Sequence, residues 1–543
     1  MVQEALSIAY SYICGHHKSE MIKTLQRELL VIARLKRFSF EVNDKYAVST
    51  YEEVQEILSK LNEKESIRKS KGVYYTPTDV VNFILCNSIK ARFGKLKENN
   101  IADLELDSIP YKAFATKTTV FDPTCGAGEY LLNALEIKID LMKKHNVKFS
   151  KEMLKKMAAT ICGNDINIES VIIAELRLFL CFVEKTNPIN CADIGKILNA
   201  SFSTIDFVSH TPDNVVKYDI IVGNPPYVED SKSGLQLDSR YGNIYANVLK
   251  HSALLLQPNG VIGFIIPLSY VSTPRMKKIR DELLGLLPDQ IILNYADRPD
   301  CLFDSVHQKL SILFGKNNKV SKRVYTGNYQ YWYKDERDVL FTKTEIVKNK
   351  FILDDFIPKL GTDIDLRVFE KIFYGNTESV YAHSRLGTEK VYLNRREAFW
   401  MKAYRTQVDD PEYKVFSYNT AAEADYCYCL IHSSLFWWYW ICTSDCWHVS
   451  KELNGFRAPL YNDYHLSSVL ANNLARKLEE TKIYVGTRQT EYEYKHRECI
   501  TEIRAIDDYI NDLFGLTDEE SEYIKNFAFR YRISGGAVEN GNS

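Results

Sequence analysis

The chain has 543 residues, too many for one compact core, so two or three domains are expected. With 45% hydrophobic and 26% charged residues and no unbroken apolar run long enough to span a bilayer, it is globular rather than membrane-embedded. Its formal net charge of -2 neither supports nor excludes a nucleic-acid partner, and twelve scattered cysteines, one inside a glycine loop, speak against a disulfide framework and for a reducing cytoplasm.

The opening Met1-Val2-Gln3-Glu4-Ala5 lacks the basic start of a signal peptide. Residues 1–70 carry helical periodicity: Ile22, Leu25, Leu29, Leu30 and Ile32 predict one helix over Met21–Leu35, and Tyr51–Leu61 predicts another after the Ser49-Thr50 cap signal. No acidic pair with a lysine stands there to hold a nuclease magnesium. At Thr76-Pro77-Thr78-Asp79 a helix begins whose apolar side is Val80, Val81, Phe83, Ile84 and Leu85. Its first N–H groups are placed to receive a carboxylate, although a capped helix with no ligand would read the same way.

Residues 118–136 read as strand, glycine turn and helix. Gly126 and Gly128 let backbone approach a ligand, and Asp122 precedes them. The third glycine of a dinucleotide fingerprint and the Lys-Ser/Thr of a P-loop are absent, so a nucleoside carrying an amino acid fits better than a pyrophosphate. Thr160–Ile166 is a second strand ending in Asp165, placed to accept ribose hydroxyls, and Glu169–Phe182 is the helix after it. Asp206-Phe207 closes a third stretch, where a carboxylate can take an amine and a ring can pack on a heterocycle.

The fourth strand delivers Asp219-Ile220-Ile221-Val222-Gly223 and then Asn224-Pro225-Pro226-Tyr227. Two prolines stiffen the turn and have no N–H, Asn224 and the backbone supply carbonyl acceptors, and Tyr227 supplies a flat face. That set suits a planar ring with an exocyclic amine, such as adenine; an ordinary turn after a buried strand would use the same residues. A polar loop to Arg240 follows, then Tyr241-Gly242-Asn243-Ile244-Tyr245 leading into a helix that ends near Leu256, a turn at Gln257-Pro258-Asn259-Gly260, and strands Val261–Pro267, Ile291–Tyr295 and Leu310–Phe314. The last two predict a late hairpin; His307 between them is read as incidental. Two basic clusters, Arg275, Lys277, Lys278 and Arg280, then Lys316, Lys319, Lys322 and Arg323, read as solvated faces before a DNA surface.

Beyond residue 330 the alternation stops, and tyrosine-rich short runs with basic pairs such as Arg395-Arg396 read as an irregular recognition domain. Leu435–Trp440 is predicted core, and Cys427, Cys429, Cys442, Cys446 and His448 match no zinc ribbon, so no metal is expected. Helical periodicity returns from His465, including Ile503–Phe514, and Thr517-Asp518-Glu519-Glu520 opens a further helix.

Taken in order, Tyr74-Tyr75-Thr76-Pro77, Asp122 to Gly128, Asp165, Asp206-Phe207 and Asn224-Pro225-Pro226-Tyr227 resemble the gamma class of S-adenosyl-L-methionine-dependent DNA adenine-N6 methyltransferases over about residues 70–315. The resemblance implies an α/β fold: a Rossmann-like class I methyltransferase domain over 71–330, an N-terminal helical segment over 1–70, and a C-terminal mixed α+β target-recognition domain with closing helices over 331–543. It implies that Tyr75, Thr76, Asp122, Pro123, Cys125, Gly126, Gly128, Asp165, Ile166, Asp206 and Phe207 line the cofactor, that Asn224, Pro225, Pro226 and Tyr227 hold the target base, and that Phe303 is a second base-stacking candidate. Implied partners are double-stranded DNA and a separately encoded restriction endonuclease, with no membrane. The alternatives are a protein-glutamine or RNA-base N-methyltransferase, or a catalytically inactive DNA-specificity subunit.

Overall fold

The computed structural model describes residues 1–61, 76–97, 101–102, 104–209, 216–303, 307–318, 322–342, 344–375, 378–379, 384, 386–408, 410–449, 452–459, 463–486 and 492–534. It forms two compact units: Met1–Tyr270 with Arg275–Leu293 and Cys301–Tyr325, and Val271–Pro274 with Asn294–Asp300 and Thr326–Ser543.

The first unit is built on strands β1 (Val120–Asp122), β2 (Ile161–Asn164), β3 (Phe202–Ser203), β4 (Tyr218–Gly223), β5 (Leu256–Pro267), β6 (Asp289–Tyr295) and β7 (Leu310–Lys316). Their spatial order is β3-β2-β1-β4-β5-β7-β6. β1 runs parallel to both β2 and β4, β4 runs parallel to β5, and β7 is antiparallel to β5. The chain therefore starts in mid-sheet, runs outward to β3, and crosses back to β4. That reversal opens a crevice at the carboxyl ends of β1 and β4, where open α/β sheets bind their ligands. Central strands are apolar on both faces because helices cover both, which is why Ile220-Ile221-Val222 and Val261–Pro267 read as unbroken hydrophobic runs.

Helices α4 (Thr78–Phe93), α5 (Glu129–Lys144), α6 (Ile168–Lys185), α7 (Tyr245–Leu254) and α8 (Lys277–Leu286) follow or precede these strands. Three earlier helices, α1 (Val2–His16), α2 (Ser19–Ile32) and α3 (Tyr51–Leu61), belong to the same unit. α6 is buried continuously from Ser170 to Val183, as a helix packed on several sides must be. Arg34 binds Glu175 of α6 with two parallel bonds of 2.8 and 2.9 Å, and Tyr12 donates to Glu184 at 2.5 Å. Thr50 and Glu53 close a capping box at the start of α3, as the Ser49-Thr50 signal anticipated.

Two expectations change here. The turn expected at Gln257–Gly260 lies inside β5: Tyr218 pairs with Leu256 and Ile220 with Val261, so the extra residues form a bulge with Asn259 at φ 60°. Three members of the basic clusters are spent on the fold itself. Arg280 donates to the Tyr270 carbonyl, Lys316 to those of Ala91 and Gly94, and Arg323 pairs with buried Asp289.

The second unit holds a three-stranded antiparallel sheet of β8 (Glu389–Asn394) between β9 (Ala403–Tyr404) and β10 (Tyr413–Tyr418). Its helices include α9 (Asp363–Tyr374), α10 (Ala421–His432), α11 (Ser434–Thr443), α12 (Tyr464–Thr481), α13 (Ile500–Leu513) and α14 (Asp518–Asn526). α11 carries the tryptophan-rich run and is wholly buried. Asp365 ties this unit together, accepting from Trp438 Nε1 (3.2 Å), the Tyr523 hydroxyl (2.8 Å) and the Gly361 N–H (3.0 Å). All twelve cysteines are free thiols. Among the described residues no group of three or more His, Cys, Asp or Glu side chains is gathered to hold a metal, and no helix is long and apolar enough to cross a membrane.

α4 lies flush on β5 because Gly263 has no side chain: a Cβ there would stand 2.2 Å from Ser88 Oγ. Gly263→Ala is expected to cost about 1–3 kcal/mol, and Ser88→Ala in the same chain to recover part of that, as measured by denaturant unfolding of the single and double variants.

Candidate active site

The crevice is assembled by strand pairing. Val120 and Phe121 of β1 stand opposite Ile220 and Ile221 of β4, so the two strands deliver Asp122 and Gly223 to one rim. Contact there is tight: a Cβ on Gly223 would sit 2.9 Å from Asp122 Oδ1 and 3.2 Å from the Phe264 ring. Glycine is the residue that lets the Asn-Pro-Pro-Tyr corner start directly against the carboxylate. Just beyond it, Asn224 Nδ2 donates to Thr76 Oγ1 at 3.0 Å, which orients the amide and brings the segment before α4 to the same corner. The Tyr130 hydroxyl, from the first turn of α5, lies against that threonine. Pro225 is buried and Pro226 half-buried, and the Tyr227 hydroxyl donates to the Ile265 carbonyl (2.9 Å), with its ring edge-on to Tyr245 at 6.3 Å.

The glycine loop closes the other side. Gly126 and Gly128 have φ of 51° and 82°, values that favour glycine. Gly126 N–H donates to Asp165 Oδ2 (3.0 Å), Cys125 N–H to the Asn164 carbonyl (2.8 Å), and Gly128 N–H to the Cys125 carbonyl (2.7 Å). A Cβ on Gly128 would stand 2.8 Å from Ala174 Cβ of α6, so glycine there also allows close helix packing. Asp165 also accepts from Asn167 N–H at 2.8 Å, joining the loop to the start of α6.

Asn164, which sequence reading passed over, joins three strand ends. Its Nδ2 donates to the carbonyls of Pro123 (3.0 Å) and Ile205 (3.1 Å), and its Oδ1 accepts from Ser203 Oγ (2.8 Å) and Ile205 N–H (3.0 Å). Beside it, Ile166 and Ile205 are 68% and 52% exposed, apolar side chains left open next to an acid. Asp206 accepts from Val208 N–H, Ser209 N–H and Ser209 Oγ at 2.9, 3.1 and 2.5 Å, so it builds its own turn beyond the short β3. The Phe207 ring is buried edge-on to Phe121 and His251, supporting the rim from within instead of offering it a face.

Two expected contributors stand differently. Tyr75 lies outside the described residues. Phe303 is 1% exposed, packed in the core, and presents no surface for a base to stack on. Sequence reading also missed Arg177, a charged residue inside an apolar helix; such a residue must find partners, and that was the available signal.

The first unit is therefore an α/β domain of doubly wound, Rossmann-like arrangement whose strand ends gather an acid, a glycine loop and a rigid proline corner. Residues 159–296 of the chain match the family described as Eco57I restriction-modification methylase. Over 189 residues the chain is 28% identical to RM.MjaORFECS2P of Methanocaldococcus jannaschii, provisionally named a type II restriction enzyme and methyltransferase, covering 28% of this chain and 16% of that one. Over 194 residues it is 24% identical to the type II methyltransferase M.BstVI of Geobacillus stearothermophilus, covering 33% and 34%. These matches span about a third or less of either relative. A solved structure of the type IIL restriction-modification enzyme MmeI in complex with DNA aligns with 98% of this chain and 93% of its own at a TM-score of 0.50 and 13% identity, so the two share a fold. The central segment is thus similar to restriction-modification methylases.

Burial pushes Asp122 up to about 8, opposed by the Thr124 N–H and reinforced by the nearby Asp165 carboxylate. Because the folded value exceeds the ordinary 3.8, the native state keeps a proton that the unfolded chain has lost across that window, and stability falls as pH rises through it. Asp122→Asn should therefore be more stable than the parent at pH 8.5 by on the order of 1–3 kcal/mol and no more stable at pH 3.5, as read by thermal melting without nucleosides.

Proposed function

We propose that the chain is a site-specific DNA methyltransferase that transfers a methyl group from S-adenosyl-L-methionine to N6 of an adenine flipped out of duplex DNA. One observation carries the reading: Gly223 abuts Asp122 while Asn224 is bonded to Thr76, so the glycine loop, the segment before α4 and the double-proline corner border one rim. The family match and the MmeI-like fold support the enzyme class; the adenine assignment rests on the chemistry of the corner.

The donor set fits a nucleoside bearing an amino acid. Asp165 offers a carboxylate beside two exposed isoleucines, which suits a ribose and an apolar heterocycle, while Asp122 and the start of α4 are the groups that would hold an ammonium and a carboxylate. When bound, S-adenosyl-L-methionine supplies an electrophilic methyl group on a sulfonium. At the opposite wall Asn224 and the Pro225 carbonyl accept the two amine hydrogens of adenine. That pyramidalises the amine and frees a lone pair otherwise delocalised into the ring. Tyr227, pinned through its hydroxyl to Ile265, gives the base a fixed face. Stacking there offsets part of the few kcal/mol needed to extrude a base from the duplex. The second unit, with its exposed tyrosines and small sheet, is proposed as the target-recognition domain, and a separate restriction endonuclease as a further partner.

Incubation of the purified chain with methyl-labelled cofactor and unmodified genomic DNA, RNA or a release-factor-type protein, followed by nucleoside mass spectrometry, tests the reading. Label is expected as N6-methyladenine in DNA, and Asn224→Ala is expected to lower its rate by roughly 100-fold or more. Label in cytosine, RNA or protein, or full activity of Asn224→Ala, would reject it.

A further inference from the structure

A loop with two left-handed glycines does not hold its own shape, and the peptide between them is the part most able to rotate. β2 secures Cys125 and Gly126 on one side. The intervening Ala127 is secured from elsewhere. Its carbonyl accepts from a terminal nitrogen of Arg177, Nη1, at 2.8 Å; the other, Nη2, pairs with Glu129 at 2.9 Å in the first turn of α5. Arg177 is 3% exposed. Its remaining donor, Nε, bonds Gln55 Oε1 at 3.0 Å, and Gln55 Nε2 donates back to the Arg177 carbonyl at 3.0 Å. Gln55 lies on α3, in the N-terminal segment, 122 positions from the arginine it grips.

The geometry is a relay of three parts: a glutamine from an N-terminal helix locks a guanidinium plane, and the locked guanidinium fixes the glycine-loop carbonyl. An arginine fork has its nitrogens in a fixed plane, so gripping Nε and the main chain leaves Nη1 and Nη2 aimed without further rotamer freedom. We propose that Arg177 is a positioning residue for the cofactor's amino-acid end, that Gln55 positions Arg177, and that the N-terminal helical segment is thereby a working part of the cofactor site. This rests on the cofactor reading given above. It also accounts for a buried arginine in the middle of a largely apolar helix.

The test is calorimetric titration of the full chain with S-adenosylhomocysteine, without DNA, so that binding is read apart from turnover. Gln55→Ala and Arg177→Lys are expected to weaken binding by roughly 10-fold or more, the scale of one lost hydrogen bond to a charged group. In methyl-transfer assays the cofactor KM should rise while the KM for DNA stays unchanged. Tyr12→Phe removes a different bond between the N-terminal segment and α6, and is expected to bind like the parent. Should Arg177→Lys fail to fold, Gln55→Ala still decides the matter, with circular dichroism as the check on its fold. Parent-like binding by Gln55→Ala, or equal weakening by Tyr12→Phe, would overturn the relay. No binding by the parent would instead overturn the cofactor reading, and the relay with it.

Discussion

Everything at the site depends on the parallel pairing of β1 with β4, two strands a hundred residues apart in sequence. That pairing is possible because the chain reverses its winding between them, and it sets Gly223 against the Asp122 carboxylate without an intervening side chain. A β-carbon at that position would force the corner outward. The absence of one atom therefore decides whether the proline corner and the glycine loop border the same space, and the rest of the crevice is arranged to keep that space in shape. Arg92 helps from the far end of β4, holding Asp219, whose other oxygen accepts from Thr119 N–H and Oγ1 at 3.0 Å.

The rim is rigid for different reasons on its two sides. At the proline corner rigidity is covalent, from two pyrrolidine rings, and is completed by the bonds Asn224 and Tyr227 make to Thr76 and Ile265. Around the glycine loop rigidity is borrowed: Asn164, Asp165 and Arg177 hold a backbone that would otherwise be permissive. Borrowed rigidity requires buried polar groups, and each of these side chains is satisfied by specific partners, as the cost of desolvation demands. Asp122 is the exception in sign. Burial and the nearby Asp165 both favour its neutral form.

How much of this was readable beforehand differs by residue. Asp122, Asp165 and Asn224 stand out as candidates because each lies at the end of a strand, and Gly126 because it lies in the turn after one; such junctions announce themselves locally through glycine, proline and a change of hydrophobic period. Asn164 could not be weighed, since its three partners come from segments about forty positions to either side. At Gly128 the packing against Ala174 could not be foreseen, because it is a tertiary fact. Phe303 was proposed from its neighbourhood in sequence, whereas its burial is a tertiary fact. The Gln257–Gly260 stretch has turn chemistry and was read as a turn; in the sheet the same residues are absorbed as a bulge within β5.

The claim that one rim binds the cofactor can be tested by hydrogen–deuterium exchange of the full chain with and without S-adenosylhomocysteine. Slowed exchange is expected together in the peptides covering Cys125–Gly128, Asp165–Asn167 and Gly223–Asn224, three stretches that only the strand pairing described here brings into one place. Protection confined to a single one of these stretches, or falling on residues remote from all three, would contradict the account.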